Sequence, residues 1–269
     1  MTARAKKSLG QHWLVDRKVL ARIADAAEIS PGETVIEVGP GRGALTEFLA
    51  ARASRLIAVE LDRELATALR EKYTDAANVS VIEGDILEMP VEELLNSGSG
   101  GMPYVVVGNL PYYVGTAIVR KFLTSKLRSE RLVVMLQAEV AERMTAHPGE
   151  MSYLAAETQL YAEARLLFRI PAKAFRPSPK VQSAVVRLDV RDSPDVEVDS
   201  EGAFLEVVQA GFAAPRKRLR NSLAIGLRID AAEAGELLRD AGIDPDQRPA
   251  LLSLEQWRDV YFAWRRRDS

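Results

Sequence analysis

The chain has no cysteine and only two histidines, His12 and His147, among its 269 residues. Without cysteine it cannot form a disulfide, a thiolate nucleophile or a cysteine-ligated metal centre, and two histidines are too few for a histidine-rich one. The sequence also lacks an apolar run long enough to cross a bilayer. We therefore expect a protein that needs neither a metal ion nor a membrane and that works in the cytoplasm.

An excess of either charge is also missing, because 36 basic and 38 acidic residues leave a net charge of −2 at pH 7. Such a balance argues against a protein that coats nucleic acid indiscriminately. Basic residues nevertheless concentrate in three clusters, each of which alone is typical of a solvated face. Together they could form a track for phosphates: Arg4, Lys6 and Lys7; Arg216, Lys217, Arg218 and Arg220; and Arg265, Arg266 and Arg267.

A hydrophobic content of 47% is enough for a full core. After a helix at residues 16–27, short apolar segments alternate with segments of helical period. They predict strands at 34–38, 55–59, 79–82, 104–107 and 131–136, and helices at 44–51, 63–72, 91–95, 116–123 and 138–145. This alternation is typical of an α/β fold, in which helices cover both faces of a parallel sheet and ligands bind at the carboxyl ends of its strands.

The later part of the chain changes character. A helix at 152–161 and a strand at 165–170 are followed by residues 175–180, whose prolines predict irregular structure, and by an antiparallel edge strand at 184–188. Residues 192–200 are acidic and carry proline, and helical period returns at 203–212, 216–226, 231–241 and 254–264. We predict a sheet domain at 1–191, a linker at 192–200 and a small all-α domain at 201–269.

The turn Asn109-Leu110-Pro111-Tyr112 follows the fourth of these strands. The Asn109 side-chain oxygen and the Leu110 carbonyl could each accept a hydrogen of an exocyclic amine, and Tyr112 offers a flat face to a planar ring. Two such acceptors would favour a tetrahedral, attacking nitrogen and stabilise the positive charge that develops on it. The turn is typical of an amine-methylation site, although the same residues also fit an Asx turn that merely closes a strand, with Pro111 as its stop signal.

A glycine-rich loop, Glu37-Val38-Gly39-Pro40-Gly41-Arg42-Gly43, follows the first strand of the sheet and opens a helix. Glycines allow a tight turn and a close approach to a ligand. The spacing also fits the dinucleotide pattern G-x-G-x-x-A, so a nicotinamide oxidoreductase remains an alternative. The carboxylate of Glu37 would repel a pyrophosphate but suits a cationic ligand without phosphate, such as S-adenosylmethionine.

Acidic residues follow the next two strands. Glu60 is placed to accept both hydroxyls of a ribose, a role that such an acid plays in nucleotide-binding sheets. Asp85 could accept from an adenine amino group while Ile86 packs on the ring, although a surface turn fits these two residues as well. Because Gly39, Glu60, Asp85 and Asn109 close four strands in succession, we interpret them as one site.

Seven segments, taken in order, resemble the ribosomal RNA adenine dimethyltransferases, and within them the bacterial small-subunit type. They are SLGQHWL (8–14), EVGPG (37–41), ELD (60–62), GD (84–85), GNLPY (108–112), FRPSPKV (175–181) and RKRLRNSL (216–223). The resemblance spans nearly the whole chain. It implies a Rossmann-like, S-adenosylmethionine-dependent methyltransferase with a helical C-terminal RNA-binding domain.

The resemblance also implies roles for individual residues. The positions that contact the methyl donor in the family match His12, Leu14, Gly39, Glu60, Asp85 and Asn109 here. Tyr112 would stack on the target adenine, Phe175 would close its other face, and Arg216, Lys217, Arg218 and Arg220 would bind RNA. The implied reaction is N6,N6-dimethylation of two adjacent adenosines near the 3′ end of 16S ribosomal RNA, in a small-subunit assembly intermediate. A monomer is the default expectation for the chain.

Four positions depart from the family. His12 stands where Asn is usual, Tyr113 and Gly115 replace Asn and Ser, and Pro215 replaces a further Arg. None of them alters the Asn109 turn, so we expect an active enzyme. The alternatives are an adenine methyltransferase of DNA or of large-subunit RNA, a non-catalytic RNA-binding assembly or transcription factor on the same fold, and the nicotinamide oxidoreductase.

Overall fold

The computed structural model describes residues 12–96 and 103–268. The chain divides into two compact units, Met1–Ala141 with Glu163–Asp192, and Glu142–Ala162 with Ser193–Ser269. The predicted division at residue 191 had placed residues 142–162 with the sheet. In the structure they belong with the C-terminal helices, where the Asp195 amide donates to the Leu160 carbonyl over 2.8 Å.

A seven-stranded sheet forms the centre of the first unit, in the order β4-β3-β2-β5-β6-β9-β7. Strands β2 to β6 run parallel, and β9 pairs antiparallel with β6. The bounds of these strands are β2 Thr34–Val38, β3 Arg55–Glu60, β4 Val79–Glu83, β5 Tyr104–Asn109, β6 Arg131–Gln137, β7 Ala162–Ile170 and β9 Ser183–Val190.

Helices connect the parallel strands as the sequence pattern predicts. Their bounds are α1 Arg17–Ala26, α2 Thr46–Ala50, α3 Arg63–Lys72, α4 Val91–Asn96, α5 Gly115–Leu123 and α6 Ala138–Met144. Asp16 caps α1 by accepting from the amides of Lys18 and Val19. Every residue of β2 is buried, which is expected of a strand that helices cover on both faces.

The prediction of an edge strand at 184–188 is wrong in its position. Strand β9 is antiparallel, as predicted, but it lies between β6 and β7, and β7 forms the edge. Ala184, Val185, Val186 and Leu188 are fully buried, as suits an interior strand, whereas burial alternates along β7. A continuous apolar run is the sign of an interior position.

A separate two-stranded sheet joins the start of the described chain to the proline-containing segment. Strand β1 (Trp13–Leu14) pairs antiparallel with β8 (Phe175–Arg176), so that Trp13 faces Arg176 and Leu14 faces Phe175. The predicted irregular segment 175–180 is therefore partly regular, since its prolines come only after β8. Leu14 and Phe175 both lie in the hydrophobic core.

The second unit is helical. Its helices are α7 Tyr153–Tyr161, α8 Glu201–Gly211, α9 Leu219–Leu227, α10 Ala231–Asp240 and α11 Leu254–Asp268. Trp257 of α11 is fully buried against Gly211, where an added Cβ would lie 2.1 Å from the indole. Helix α9 starts three residues later than predicted, because Arg218 is extended at its N-cap and the preceding basic residues lie in a turn. No helix within the described ranges is long and apolar enough to span a bilayer.

Candidate active site

The site lies at the carboxyl ends of β2, β3 and β5. The chain proceeds from β2 to β3 and β4 on one side and returns to β5 and β6 on the other, which makes the gap between β2 and β5 the topological switch point. A cleft of about 640 Å³, counting the solvent at its mouth, opens there. Its lining consists of His12, Trp13, Gly39, Gly41, Glu60, Leu61, Asn109, Leu110, Pro111, Tyr112 and Tyr113.

The turn at 109–112 is fixed by hydrogen bonds from both of its first residues. Asn109 ends β5 and donates from Nδ2 to the His12 carbonyl over 3.2 Å. The Leu110 amide donates to the Met135 carbonyl over 3.2 Å, and the Leu110 side chain is buried. Because Nδ2 of the Asn109 side chain donates to the backbone of His12, Oδ1 is the side-chain atom left to accept a hydrogen bond from a ligand.

Tyr112 is half-buried and anchored at its far end. Its hydroxyl lies 2.8 Å from the hydroxyl of Ser183, which is fully buried at the start of β9. Burial raises the pKa of Tyr112, with the Ser183 hydroxyl acting in the opposite direction. The phenol therefore stays neutral at physiological pH and presents an uncharged ring to the cleft.

Residues 12–14, which precede α1, are called the arm here, and two of them, His12 and Trp13, line the cleft. His12 donates from Nδ1 to the Pro177 carbonyl over 2.8 Å, and the centroid of its ring lies 6.1 Å from that of Tyr112 with 24° between the planes. The guanidinium of Arg42 stacks 3.6 Å over the Trp13 ring. A Cβ at Gly41 would approach that same ring at 3.4 Å, so glycine lets the arm lie close to the loop.

Glu60 ties β3 to the glycine-rich loop. Its Oε2 accepts from the Gly41 amide and its Oε1 from the Asp62 amide, both over 2.9 Å. Burial raises the pKa of Glu60, while these two hydrogen bonds act against the shift. A carboxylate has about four acceptor positions, so each oxygen keeps one for a ligand hydroxyl.

Glu37, near the end of β2, is fully buried, and its Oε2 has no hydrogen-bond partner among the described residues. Burial raises its pKa to about 8, and the neighbouring Thr46 hydroxyl lowers it. The residue lines a second, smaller pocket together with Trp13, Gly39 and Asn109. A buried carboxyl group with an unpaired oxygen prefers to be neutral, and a cationic ligand beside it would favour its ionised form, whereas a pyrophosphate would not.

Several predicted site residues lie elsewhere. Leu14 lines only the smaller pocket, and Ile86 is buried after β4. Asp85 accepts from the Leu87 amide over 2.9 Å and does not line the cleft. Phe175 is fully buried in the core rather than facing the cleft.

The basic residues of the second unit differ in exposure and pairing. Arg216, Lys217 and Arg218 are exposed before α9, and Arg220 is partly buried in it. Arg218 and Arg220 both pair with Asp246, at 3.2 and 3.1 Å. Arg265 and Arg267 of the third cluster pair with Asp199 and Asp240. The first cluster, at residues 4–7, lies outside the described residues.

Sequence reasoning missed some residues that line the cleft: Trp13, Gly41, Leu61 and Tyr113. Gly41 and Trp13 lie within the motifs at 37–41 and 8–14, so position in a motif was the available signal. Leu61 and Tyr113 directly follow predicted site residues, and both are exposed. Leu61 also lies within the ELD motif at 60–62, and the sequence singled out Tyr113 only as a departure from the family. Within residues 12–96 and 103–268, no group of three acidic or histidine side chains could hold a metal ion.

Comparisons with known proteins indicate the family to which the chain belongs. The family model for ribosomal RNA adenine dimethylase matches residues 2–263. The chain is 44% identical over 259 residues to ribosomal RNA small subunit methyltransferase A of Dehalococcoides mccartyi strain CBDB1, covering 96% of this chain and 88% of the relative.

Two solved structures share the fold over almost the full length. The 23S rRNA methyltransferase ErmE is 31% identical, with a TM-score of 0.73 over 93% of this chain and 98% of its own. A dimethyladenosine transferase from Plasmodium falciparum is 20% identical, with a TM-score of 0.79 over 96% and 98%, and supports the fold alone. The predicted α/β, Rossmann-like methyltransferase fold with a helical C-terminal part is confirmed. The chain therefore belongs to the ribosomal RNA adenine dimethylase family and is an S-adenosylmethionine-dependent methyltransferase.

Proposed function

We propose that this protein adds two methyl groups to N6 of each of two adjacent adenosines near the 3′ end of 16S ribosomal RNA. The observation that carries the proposal is the Asn109 turn, which lies at the switch point of the sheet beside Gly39 and Glu60. The 44% identity to a small subunit methyltransferase supports the choice of RNA. The substrate would be a small-subunit assembly intermediate, met by a monomer in the cytoplasm.

S-adenosylmethionine supplies an electrophilic methyl group when it is bound. The adenine amine is a poor nucleophile because its lone pair is delocalised into the ring. In the first transfer Asn109 Oδ1 and the Leu110 carbonyl would accept the two hydrogens of the amine, and in the second transfer one of them would accept the single hydrogen that remains. These contacts favour a tetrahedral nitrogen and stabilise the charge that develops there. Tyr112 would stack on the base and fix its distance to the methyl group. The proton is lost once the nitrogen has become cationic, so no base is needed before transfer.

The base must leave its stack to reach these groups. An adenine amine inside a helix is shielded by its neighbours, and enzymes that modify bases extrude them into a pocket. The cleft opens beside the half-buried face of Tyr112, and the Ser183 hydrogen bond holds that ring in place. A ring that is already fixed loses little conformational freedom when the base stacks on it.

The donor would be held by the loops that follow β2, β3 and β4. Glu60 would accept the ribose hydroxyls with its two remaining acceptor positions, because Gly41 and Asp62 fix the carboxylate. Asp85 would accept from the donor adenine and Ile86 would pack against it. Gly39 has a positive φ of 66°, and a Cβ added there would lie 3.7 Å from the Asn109 carbonyl oxygen. The arm residues His12 and Leu14 would complete the site.

RNA phosphates would contact the exposed basic turn before α9. Arg216, Lys217 and Arg218 are exposed, and Arg220 follows on the first turn of the helix. Phosphate contacts of this kind position an RNA without selecting its sequence. The selection of adenine would therefore depend on the Asn109 turn.

Methyl transfer to separated ribosomal subunits tests the proposal. Small and large subunits that both lack adenine dimethylation are incubated with labelled S-adenosylmethionine, and the modified nucleotides are mapped. We expect label in the small subunit alone, as dimethyladenosine at two adjacent positions. Label confined to the large subunit would favour the second candidate, large-subunit RNA methylation, which the 31% identity to ErmE keeps open. Donor binding without transfer to either subunit would indicate an assembly factor.

A further inference from the structure

Tyr113 places an exposed aromatic ring in the active cleft. The chain has seven tyrosines, seven phenylalanines and three tryptophans, all of which lie within residues 12–96 and 103–268. Tyr113 is the only exposed residue among them, with 63% of its surface open to solvent. A ring that stays in water gives up the free energy that burial provides. Core packing therefore does not account for this ring, which lines the cleft directly after Tyr112.

Tyr112 and Tyr113 are neighbours in the chain but are held differently. Tyr112 is half-buried, and its hydroxyl lies 2.8 Å from that of Ser183. Within the described ranges no hydrogen bond or ring contact holds the Tyr113 side chain, and the two tyrosine rings do not stack on each other. One ring is thus fixed and the other is free to adjust, so the two can contact different bases.

Extrusion of the target adenine leaves a second base without a stacking partner. When one base leaves a stack, its neighbour in the strand exposes the face that the departed base had covered. An aromatic side chain can replace the missing base, because every base has a flat face, and such stacking strengthens binding on the order of tenfold. The neighbour stays close to the pocket because the phosphodiester links it to the extruded nucleotide.

We propose that Tyr113 binds the base next to the target adenosine by stacking on it, while Tyr112 stacks on the target itself. This role rests on the proposed function and adds a second nucleotide subsite to it. Tyr113 stands where Asn is usual in the family, so the subsite belongs to chains that carry a ring at this position.

The proposed substrate makes the identity of this neighbour testable. Its two adenosines are adjacent, so whichever of them occupies the pocket, the other is its direct neighbour. If Tyr113 meets the base on the 3′ side, it covers the second adenosine while the first is methylated. If it meets the base on the 5′ side, it covers the first adenosine while the second is methylated.

Three variants of Tyr113 separate the ring from its apolar bulk. Tyr113→Phe keeps a ring, Tyr113→Leu keeps an apolar side chain without a ring, and Tyr113→Ala has neither. Leu167→Ala is the matched control, because Leu167 is an exposed apolar residue of β7 that does not line the cleft. Each protein is measured for thermal unfolding, for donor affinity by calorimetry, and for kcat and KM with small subunits lacking adenine dimethylation.

We expect Tyr113→Ala and Tyr113→Leu to raise the KM for subunits about tenfold. We expect Tyr113→Phe to stay within about threefold of the wild type, because a stacking surface tolerates the loss of a hydroxyl. Unfolding and donor affinity should stay as in the wild type, since the ring is exposed and the donor is held by other residues. Leu167→Ala should match the wild type in all of these measurements.

Replacement of the neighbouring base supplies a readout that a merely structural role would not change. Small subunits are prepared in which one adenosine of the pair is replaced by guanosine, a purine without the N6 amine, or by uridine, a smaller base that stacks less strongly. Transfer to the remaining adenosine is measured for both arrangements. In one of them we expect the wild type to have a KM for the guanosine subunits about fivefold lower than for the uridine subunits. Tyr113→Ala should show no such preference, because the coupling between ring and base is gone.

Three outcomes overturn the inference. They are a KM of Tyr113→Ala equal to that of the wild type, a KM of Tyr113→Phe as high as that of Tyr113→Ala, and a guanosine preference in Tyr113→Ala as large as in the wild type in both arrangements. In each case the wild type still methylates both adenosines, so the proposed function stands. A wild type that transfers nothing to unsubstituted small subunits overturns the proposed function and the inference with it.

Discussion

Glu37 shows how far a single side chain depends on its surroundings in the fold. In the sequence it is an acid before a glycine-rich loop, and its charge suggested a cationic ligand. In the structure it is fully buried with an unpaired oxygen, and burial raises its pKa to about 8. An unpaired carboxyl group in such a place prefers to be neutral.

The first prediction is that Glu37→Gln becomes more stable relative to the wild type as pH rises from 5 to 8. A raised acid pKa means that the folded protein binds a proton that the unfolded chain has released, so wild-type stability falls through this window. The slope for one such group is about 1.4 kcal/mol per pH unit. Urea unfolding at several pH values measures the difference.

Glu47→Gln is the control for that experiment. The exposed Glu47 pairs with Arg17, which lowers its pKa. The stability that this ion pair contributes is therefore fully present above the pKa of Glu47 in the unfolded chain. It is lost only as pH falls below that value, outside the window from 5 to 8. Stability curves of the wild type and Glu37→Gln that run parallel across this window would contradict the assignment.

Site residues differed in how well the sequence indicated their positions. Gly39 directly follows β2, and Glu60 and Asn109 are the last residues of β3 and β5. The carboxyl ends of parallel strands meet on one side of the sheet, so these residues could be placed together. Phe175 could not be placed in the same way, because it belongs to a two-residue strand that pairs with a distant segment. Which side of that strand faces the core depends on this long-range pairing.

At the scale of elements, the apolar runs predicted the parallel strands well. Strands β2 to β6 all form where the pattern indicated, and α3 has the predicted bounds. The position of β9 inside the sheet escaped prediction because strand order depends on packing between distant segments. The pairing of β1 with β8 was missed for the same reason, since two residues show no periodicity.

The second prediction concerns Gly108, which lies in β5 next to the catalytic turn. An added Cβ would lie 2.7 Å from the Val38 carbonyl oxygen and 3.1 Å from a methyl group of Leu110. Because the nearest atom is backbone, β2 and β5 would have to separate. We expect Gly108→Ala to lose about 1–3 kcal/mol of unfolding free energy and most methyl transfer.

Gly202→Ala provides the matched control for Gly108→Ala. Gly202 lies in the first turn of α8, and an added Cβ would meet nothing within 4 Å. Alanine is the better helix former, so this variant should be as stable as the wild type or more so. Equal stabilities for Gly108→Ala and the wild type would contradict the close approach of β2 and β5.

At the scale of the molecule, the net charge is only −2, yet basic residues are concentrated in one turn of the second unit. Arg218 and Arg220 share Asp246, whereas Arg216 and Lys217 are exposed. The sequence indicated the cluster, but its placement before α9 rather than within it emerged only from the structure.

The third prediction is that Arg216→Ala combined with Lys217→Ala weakens binding to small subunits and makes it less dependent on salt. Each lost phosphate contact should reduce the slope of log K against log salt by about 0.7–0.9. Arg52→Ala is the control. Arg52 pairs with Asp25 and lies just before the amino end of β3, whereas the cleft lies at the carboxyl ends of the strands. An unchanged slope in the double variant would exclude this turn from the interface.

The most direct test of the site is the Asn109→Ala variant, measured for donor binding by calorimetry and for single-turnover methyl transfer to small subunits lacking adenine dimethylation. We predict that transfer falls about 100- to 1,000-fold, as when one preorganised hydrogen-bonding group is removed from a charge-stabilising site. Donor affinity should change much less, because Glu60 and the glycine-rich loop remain. Transfer by Asn109→Ala at a near-normal rate would contradict the assignment of this turn as the catalytic site.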